Sequence, residues 1–189
     1  MTELKIGLGK GKIYPAAAAS HLLNPLRSLV QPASRIVDRM GLCPDDRVLE
    51  LGCGPGWFSR SLSSSIPNGQ LVLCDYQPKM LQIAHSRVVQ TENTVAVAAN
   101  ATALPYRDRT FDKVLVASML GEVPDRTSCL QEVKRVLKNS GTIIIVETRR
   151  DSDFVTLTEV CSLARQLELD IARTYGWRWE FTVLLRPRV

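Results

Sequence analysis

The chain has 189 residues, with 24 lysines and arginines against 19 aspartates and glutamates, and a net charge of +5. That length holds one complete core and is short for two, so a single domain is expected. A hydrophobic content of 45% with 23% charged residues excludes a disordered or fibrous chain, and basic residues spread along the sequence give no block on which nucleic acid would be expected to bind.

The first thirteen residues, MTELKIGLGKGKI, carry three glycines and read as a mobile arm. From Ser20 to Met40 two helical patterns follow, SHLLNPLRSLV and PASRIVDRM, the second opened by Pro32 and closed by Gly41. Residues 1–41 are thus expected to form an arm and helical cap, and residues 42–189 the core of one compact unit. RVLEL reads as a buried strand, Pro55 to Leu62 as the opening of a helix, and QLVLCD as a second strand. PKMLQIAHSRVV places Met80, Ile83, Ala84 and Val88 on one helical face. TVAVAA and FDKVLVAS read as a third and a fourth strand. RTSCLQEVKRVLK carries Cys129, Val133, Val136 and Leu137 at helical spacing, with Gly141 as its stop, and TIIIVE is a fifth strand. Asp153 to Gln166 reads as a last helix, before LDIARTY, a turn at Gly176 and WEFTVLLRP, which can pair as an antiparallel hairpin. Strands alternating with helices predict an α/β fold, a doubly wound parallel sheet covered on both faces.

Five cysteines, Cys43, Cys53, Cys74, Cys129 and Cys161, form no C-x-x-C pair, and with two histidines they show no zinc spacing, so no metal is expected. A reducing, cytoplasmic compartment fits them best. No apolar run approaches the roughly 18–20 residues that span a bilayer, so no membrane insertion is expected. KGKIYPAAAASHLL, broken by Pro15, Ser20 and His21, is not read as a secretory signal. The basic pairs Arg149–Arg150 and Arg186/Arg188 could flank an acidic substrate or be solvated loop ends.

The stretch RVLELGCGPGW sets Gly52, Gly54 and Gly56 directly after the first strand. Glycine costs about 0.5–1 kcal/mol relative to alanine inside regular structure, so the spacing serves something that approaches the backbone closely. A strand ending in glycines and feeding a helix exposes backbone N–H groups on which a phosphate or a carboxylate could sit. In the dinucleotide fingerprint G-x-G-x-x-G the third glycine position is Trp57 here, and the indole counts against NAD or FAD. Cys53 inside the loop reads as a small packed residue rather than a nucleophile. Asp75, ending the second strand, can accept from both hydroxyls of a ribose, or can cap the helix ahead of Pro78. Tyr76 could lie against a purine, and Asn100 ends the third strand at the same edge.

VLELGCGPG, CDYQPKML, NATALPY before FDKVLVASML, and LQEVKRVLKNSGTIIIVE stand in this order across residues 46–147. In these motifs the chain resembles the class I S-adenosylmethionine-dependent methyltransferases, in the small-molecule group that includes the quinone-biosynthesis enzymes. The resemblance implies a seven-stranded Rossmann-like sheet of order 3-2-1-4-5-7-6 with the last strand antiparallel, and S-adenosylmethionine as cofactor. Position by position it implies that Glu50 and the loop Gly52, Cys53, Gly54 and Gly56 approach the methionine part. Asp75 would hold the ribose, and Tyr76 would lie beside the adenine. Asn100, next to Ala101, would accept from the exocyclic amine with its amide oxygen, where many relatives carry aspartate. Ser118 and Met119 would lie under the transferable methyl. The cap would line the acceptor pocket with Tyr14, His21, Leu22 and Asn24.

The implied reaction is in-line transfer of a methyl group to a small or medium organic acceptor, through an O, N or C atom, without a protein nucleophile. The weak candidates for a general base are Glu122, His21 and Tyr14. Relatives of the quinone group carry histidines where this chain has GEVPD. Two alternatives stay open: a noncatalytic cofactor-binding partner subunit, and an RNA-modifying methyltransferase, against which stands the missing D/N-P-P-Y/F motif. A small-molecule acceptor is the expected partner, with a homodimer compatible.

Overall fold

Strands buried on both faces of a parallel sheet must be apolar throughout, and the runs singled out in the sequence pair in that way. The computed structural model describes residues 5–26, 28, 31–88, 92–176 and 178–188. Its seven-stranded sheet contains β1 (Arg47–Leu51), β2 (Gln70–Asp75), β3 (Thr94–Ala98), β4 (Phe111–Ala117), β5 (Leu137–Thr148), β6 (Leu169–Gly176) and β7 (Glu180–Pro187). The spatial order is β3-β2-β1-β4-β5-β7-β6. β1 to β5 pair in parallel, and β7 runs antiparallel between β5 and β6. The order and the single reversed strand agree with the expectation.

The helices cover both faces. α2 (Ala33–Arg39), α3 (Ser59–Ser65) and α4 (Pro78–Ser86) bury Ile36, Val37, Leu62, Leu81 and Ala84 against Val48, Leu71, Leu73 and Leu115. On the opposite face, α5 (Arg126–Val136) and α6 (Leu157–Gln166) bury Cys129, Leu130, Val133, Val160 and Ala164 against Leu49, Val114, Val116 and Ile145. Alternate residues of one strand thus feed two cores.

Several boundaries differ from the sequence reading, each for a local reason. Pro55–Phe58 forms a turn, and α3 begins only at Ser59. α5 is capped by Asp125, whose carboxylate accepts from the Ser128 N–H. It ends at Val136, not at Gly141, because Leu137 is already extended (φ −80°, ψ 138°) and β5 runs through Gly141. α6 begins at Leu157 rather than Asp153 because Thr156 and Glu159 form a reciprocal capping box. In the cap, α1 (Ala19–Leu22) is a single turn and Asn24–Leu26 leaves the helix; the rest of that predicted helix at 27, 29 and 30 lies outside the described residues. The stretch read as a mobile arm is placed from Lys5 onward, with two two-residue strands, Lys5–Ile6 and Lys12–Ile13, paired to each other. Residues 1–4 of that reading lie outside the described residues.

Gly56 is where the first loop meets the second crossover. Its φ is +82°, and a Cβ there would stand 2.9 Å from the Ala84 Cα in α4. Gly56→Ala would therefore strain the backbone and push α4 off the sheet. It should cost about 1–3 kcal/mol, read as a lowered midpoint in thermal or urea unfolding; a variant as stable as the parent would contradict this packing.

Candidate active site

In an open α/β sheet the loops at the carboxyl ends of the strands form the crevice that receives ligands. Here the loops after β1, β2, β3, β4 and β5 enclose a cavity of about 1230 Å³, roofed by residues of the N-terminal arm. Glu50, Gly52, Cys53 and Gly54 line it from β1, and Asp75, Tyr76 and Gln77 from β2. Asn100, Ala101 and Thr102 line it from β3, and Ser118, Met119 and Glu122 from β4. Tyr14, His21 and Leu22 reach it from the arm and cap.

The glycine loop is built for close approach. Gly52 turns at φ +66°, and a Cβ there would stand 2.6 Å from the Met119 Cγ, so the loop and the segment after β4 can lie together only without that side chain. The Gly54 N–H donates to Asp75 Oδ2 at 2.8 Å, tying the first loop to the end of β2. Asp75 Oδ1 accepts from the Gln77 N–H at 2.9 Å. Asp75 thus fixes its own turn as well as the glycine loop, and it does not cap α4, whose N-cap is Gln77 without a side-chain cap. A third backbone N–H, that of Tyr76, also favours the charged form of Asp75, and the two oxygens, each able to accept two donors, keep room for a further one.

The buried carboxyls are the strongest feature of the site. Glu50 is buried beneath the loop, where Ser59 Oγ donates to its Oε2 at 2.6 Å. Burial pushes Glu50 up to about 8, against that hydrogen bond and with the Asp75 charge adding to the rise. Asp75 is raised as well, by burial. Burial also lifts Glu122 to about 8; the Tyr14 N–H, donating to Glu122 Oε2 at 3.0 Å, opposes this, while Asp153, Asp75 and Asp151 add to it. Glu147 in β5, behind the residues that line the cavity, is held at about 8 for the same first reason, with the Val155 N–H donated to it at 3.3 Å. Cys53 is buried, with its thiol raised well above the ordinary range by burial and by Glu50 and Asp75; it is packed and unreactive, as its setting in the loop suggested.

Three sequence expectations change here. Gly56 does not line the cavity; it serves the contact with α4 instead. Asn24 is also outside it, with its Oδ1 accepting from the Leu26 N–H. Asn100 does reach the cavity, yet its Oδ1 accepts from both the N–H and the Oγ1 of Thr102 at 3.0 Å. Its acceptor is therefore spent on its own turn. Other lining residues were missed in the sequence: Gln77, and the acids Asp151 and Asp153 after β5. The position of the two acids just past TIIIVE, at the same sheet edge, was the available signal. Trp57, noted for the indole that replaces a glycine, lines the cavity and donates its Nε1–H to the Gln31 carbonyl, which fastens the cap to the loop. Of the basic pairs, Arg149 lies over the Trp179 ring, Arg150 reaches the cavity rim, and Arg188 pairs with Asp170.

A family model described as a methyltransferase domain matches residues 49–145, just over half of the chain. The chain belongs to this methyltransferase family. Among curated proteins it is similar to the demethylmenaquinone methyltransferase of Staphylococcus aureus (strain JH9), 32% identical over 115 residues, covering 60% of this chain and 48% of the relative. The chain spans about half the length of the curated relatives it matches. Its fold is that of a SAM-dependent methyltransferase from Aquifex aeolicus, with a TM-score of 0.85 at 20% identity over 92% of this chain and 98% of that one. It is also similar in fold to a TehB-like SAM-dependent methyltransferase from Corynebacterium glutamicum, with a TM-score of 0.72 at 14% identity over 92% and 100% of the two chains.

The residues present fit the methyltransferase cofactor. Ser118, at φ +51°, holds its Oγ in a buried position on the cavity wall with no hydrogen-bond partner among the described residues, and the carboxyls around the cavity suit a ligand that carries a sulfonium and an ammonium.

Glu50, Glu122 and Glu147 couple this site to stability. Between the ordinary carboxyl value of 4.5 and about 8 the folded chain keeps protons that the unfolded chain has lost, so stability falls as pH rises through that window. The lowered groups Asp112, Glu132 and Glu159 act below it. The thermal midpoint of the ligand-free protein should drop from about pH 5.5 to about pH 8.5, with a shallower drop in Glu122→Gln. A midpoint that rises over this range would contradict the burial of these carboxyls.

Proposed function

We propose that this chain transfers the methyl group of S-adenosylmethionine to a small or medium organic acceptor held beneath the N-terminal arm. The observation that carries the reading is the convergence on one cavity of the Asp75-tethered glycine loop with Glu122, Tyr14 and His21. When bound, the cofactor supplies an electrophilic methyl on a sulfonium.

The chain's own residues bind, orient and keep the reaction dry. Asp75 receives the ribose on the acceptor capacity left at its two oxygens, with Tyr76 and Ala101 beside the base and the Asn100 amide N–H groups at its edge. The glycine loop and Glu50 take the methionine end, where a positive ammonium favours the charged form of a carboxyl that burial otherwise holds neutral. Ser118 and Met119 form the floor between the two ligands. The arm closes the roof, and alignment in a water-free site contributes about 7–11 kcal/mol of barrier reduction when near-ideal.

Glu122 is the base. Its Oε2 is fixed by the Tyr14 N–H, which leaves Oε1 to take a proton from a hydroxyl or carbon acid, at a value near working pH that suits the task. His21 is exposed on α1 at the rim and contacts the acceptor from outside. The name of the Staphylococcus relative puts quinones first among acceptors to screen. A reducing, cytoplasmic setting goes with the reading, supported by five free cysteines.

Calorimetric titration with S-adenosylmethionine, S-adenosylhomocysteine and NAD tests it. The adenosyl ligands should bind in the micromolar range and NAD should not, while Asp75→Asn, checked for folding by its thermal midpoint, should weaken binding about 10–100-fold. Absence of adenosyl binding would overturn the reading in favour of a degenerate or partner-dependent subunit.

A further inference from the structure

The segment Tyr14–Ala16 crosses the cavity from one rim to the other and is gripped at both. On the cofactor rim the Gln77 carboxamide spans it: Nε2 donates to the Tyr14 carbonyl at 2.8 Å, and Oε1 accepts from the Ala16 N–H at 3.3 Å. On the other rim the Tyr14 N–H donates to Glu122 Oε2 at 3.0 Å, and the Gly11 N–H donates to the Gly121 carbonyl at 2.8 Å. Gln77 is in turn tied by its backbone N–H to Asp75 Oδ1, whose partner oxygen holds the Gly54 N–H. One line of hydrogen bonds therefore runs from the glycine loop through Asp75 and Gln77 to the arm.

Apolar burial does little to hold the arm. Among the described residues from Lys5 to Leu26 only Ile13 and Ala19 are buried, and Ile6 and Leu8 are 64% and 62% exposed. Two further polar contacts, Gly9 N–H to Ser152 Oγ and Lys10 to Glu159, lie in exposed positions. Where the arm sits is thus decided by hydrogen bonds, and Gln77 supplies two of them. An amide suits that place as a carboxylate or an ammonium would not, because it offers a donor and an acceptor together to the carbonyl and N–H of the crossing backbone.

We propose that Gln77 is a positioning residue that docks the N-terminal arm onto the edge of the adenosyl site, so that arm closure and cofactor binding strengthen each other. The inference rests on the reading that Asp75 receives the ribose. A ligand held by Asp75 stiffens the turn that carries Gln77, which favours the docked arm; by linkage the docked arm favours the ligand to the same degree. Side-chain variants at Gln77 leave its backbone bond to Asp75 in place, so the clasp can be removed without removing the ribose carboxylate.

The arm carries its own reporters, since Lys10 and Lys12 are exposed trypsin sites. The test is limited trypsinolysis of the full chain, with and without S-adenosylhomocysteine, beside calorimetry with the same ligand. In the parent, ligand should slow cleavage at these lysines by about fivefold or more. Gln77→Ala should be cleaved faster without ligand, should lose most of the protection, and should bind the ligand weaker by the factor of protection lost, with its thermal midpoint near the parent's. Gln77→Glu, which keeps the acceptor but not the donor, should fall between.

Ala16→Pro removes the N–H from the other side of the clasp. Proline is tolerated there because Ala16 opens a 3-10 turn and Pro15 before it is extended (φ −69°, ψ 127°). This variant should reproduce part of the Gln77→Ala effect. Equal protection in the parent and in Gln77→Ala, or binding without protection in the parent, would overturn the inference. Absence of binding in calorimetry would overturn the adenosyl reading itself, and the inference with it.

Discussion

Four adjacent strands each bring a carboxyl to one edge of the sheet. Glu50 comes from β1, Asp75 from β2, Glu122 from the turn after β4 and Glu147 from β5, and burial raises every one of them. Confining like charges in a poorly solvated place costs stability, and a fold selected for stability alone would fill these positions with apolar residues. The rest of the structure accommodates this edge. Each carboxyl receives at least one hydrogen bond from a neighbouring element: Glu50 from Ser59, Asp75 from Gly54 and Gln77, Glu122 from Tyr14, and Glu147 from Val155. Those bonds are also what tie the glycine loop, the arm and the loop after β5 to the sheet.

Under the proposed function the cost has a return. A cofactor that brings a sulfonium and an ammonium to this edge makes the carboxyls' charged forms favourable, so their burial is offset when a cation binds. The two cores on either face of the sheet offset the same cost, because they are apolar and continuous, and they reach the edge at residues such as Leu51, Cys53 and Met119. Gly52 and Gly56 divide the labour of one loop: the first admits Met119 beside the cavity, and the second admits α4 behind it.

The strand order and the hairpin were legible in the sequence because buried parallel strands are written as short apolar runs, and VLEL, LVLCD and TIIIVE have no other use. Glu50 and Asp75 were legible for the same reason, as acids at the ends of such runs; Glu122, five residues past the fourth strand, was read only as a candidate base, and Glu147 was not singled out. Helix ends were less so: Gly141 looked like a stop, but the chain had already turned extended at Leu137, and Thr156 rather than Asp153 starts α6 because its hydroxyl meets the Glu159 N–H. Asn100 was placed correctly at the edge and wrongly in its bonding, since a turn to Thr102 competes for the same oxygen. Gln77 could not be read at all. Its partner carbonyl lies 63 residues away, and a glutamine after Asp-Tyr carries no local sign of it. The arm, read as mobile from its glycines, is held from Gly9 onward by just such distant contacts.

The most direct test of the account is the proton balance of ligand binding, measured calorimetrically near pH 7.5 in buffers of different ionisation enthalpy. If buried carboxyls are held neutral until a cation arrives, S-adenosylmethionine should release protons on binding, and S-adenosylhomocysteine, which lacks the sulfonium charge, should release fewer. Binding of both ligands with no proton release, or with uptake, would show that the carboxyl edge is not what the cofactor's charge meets.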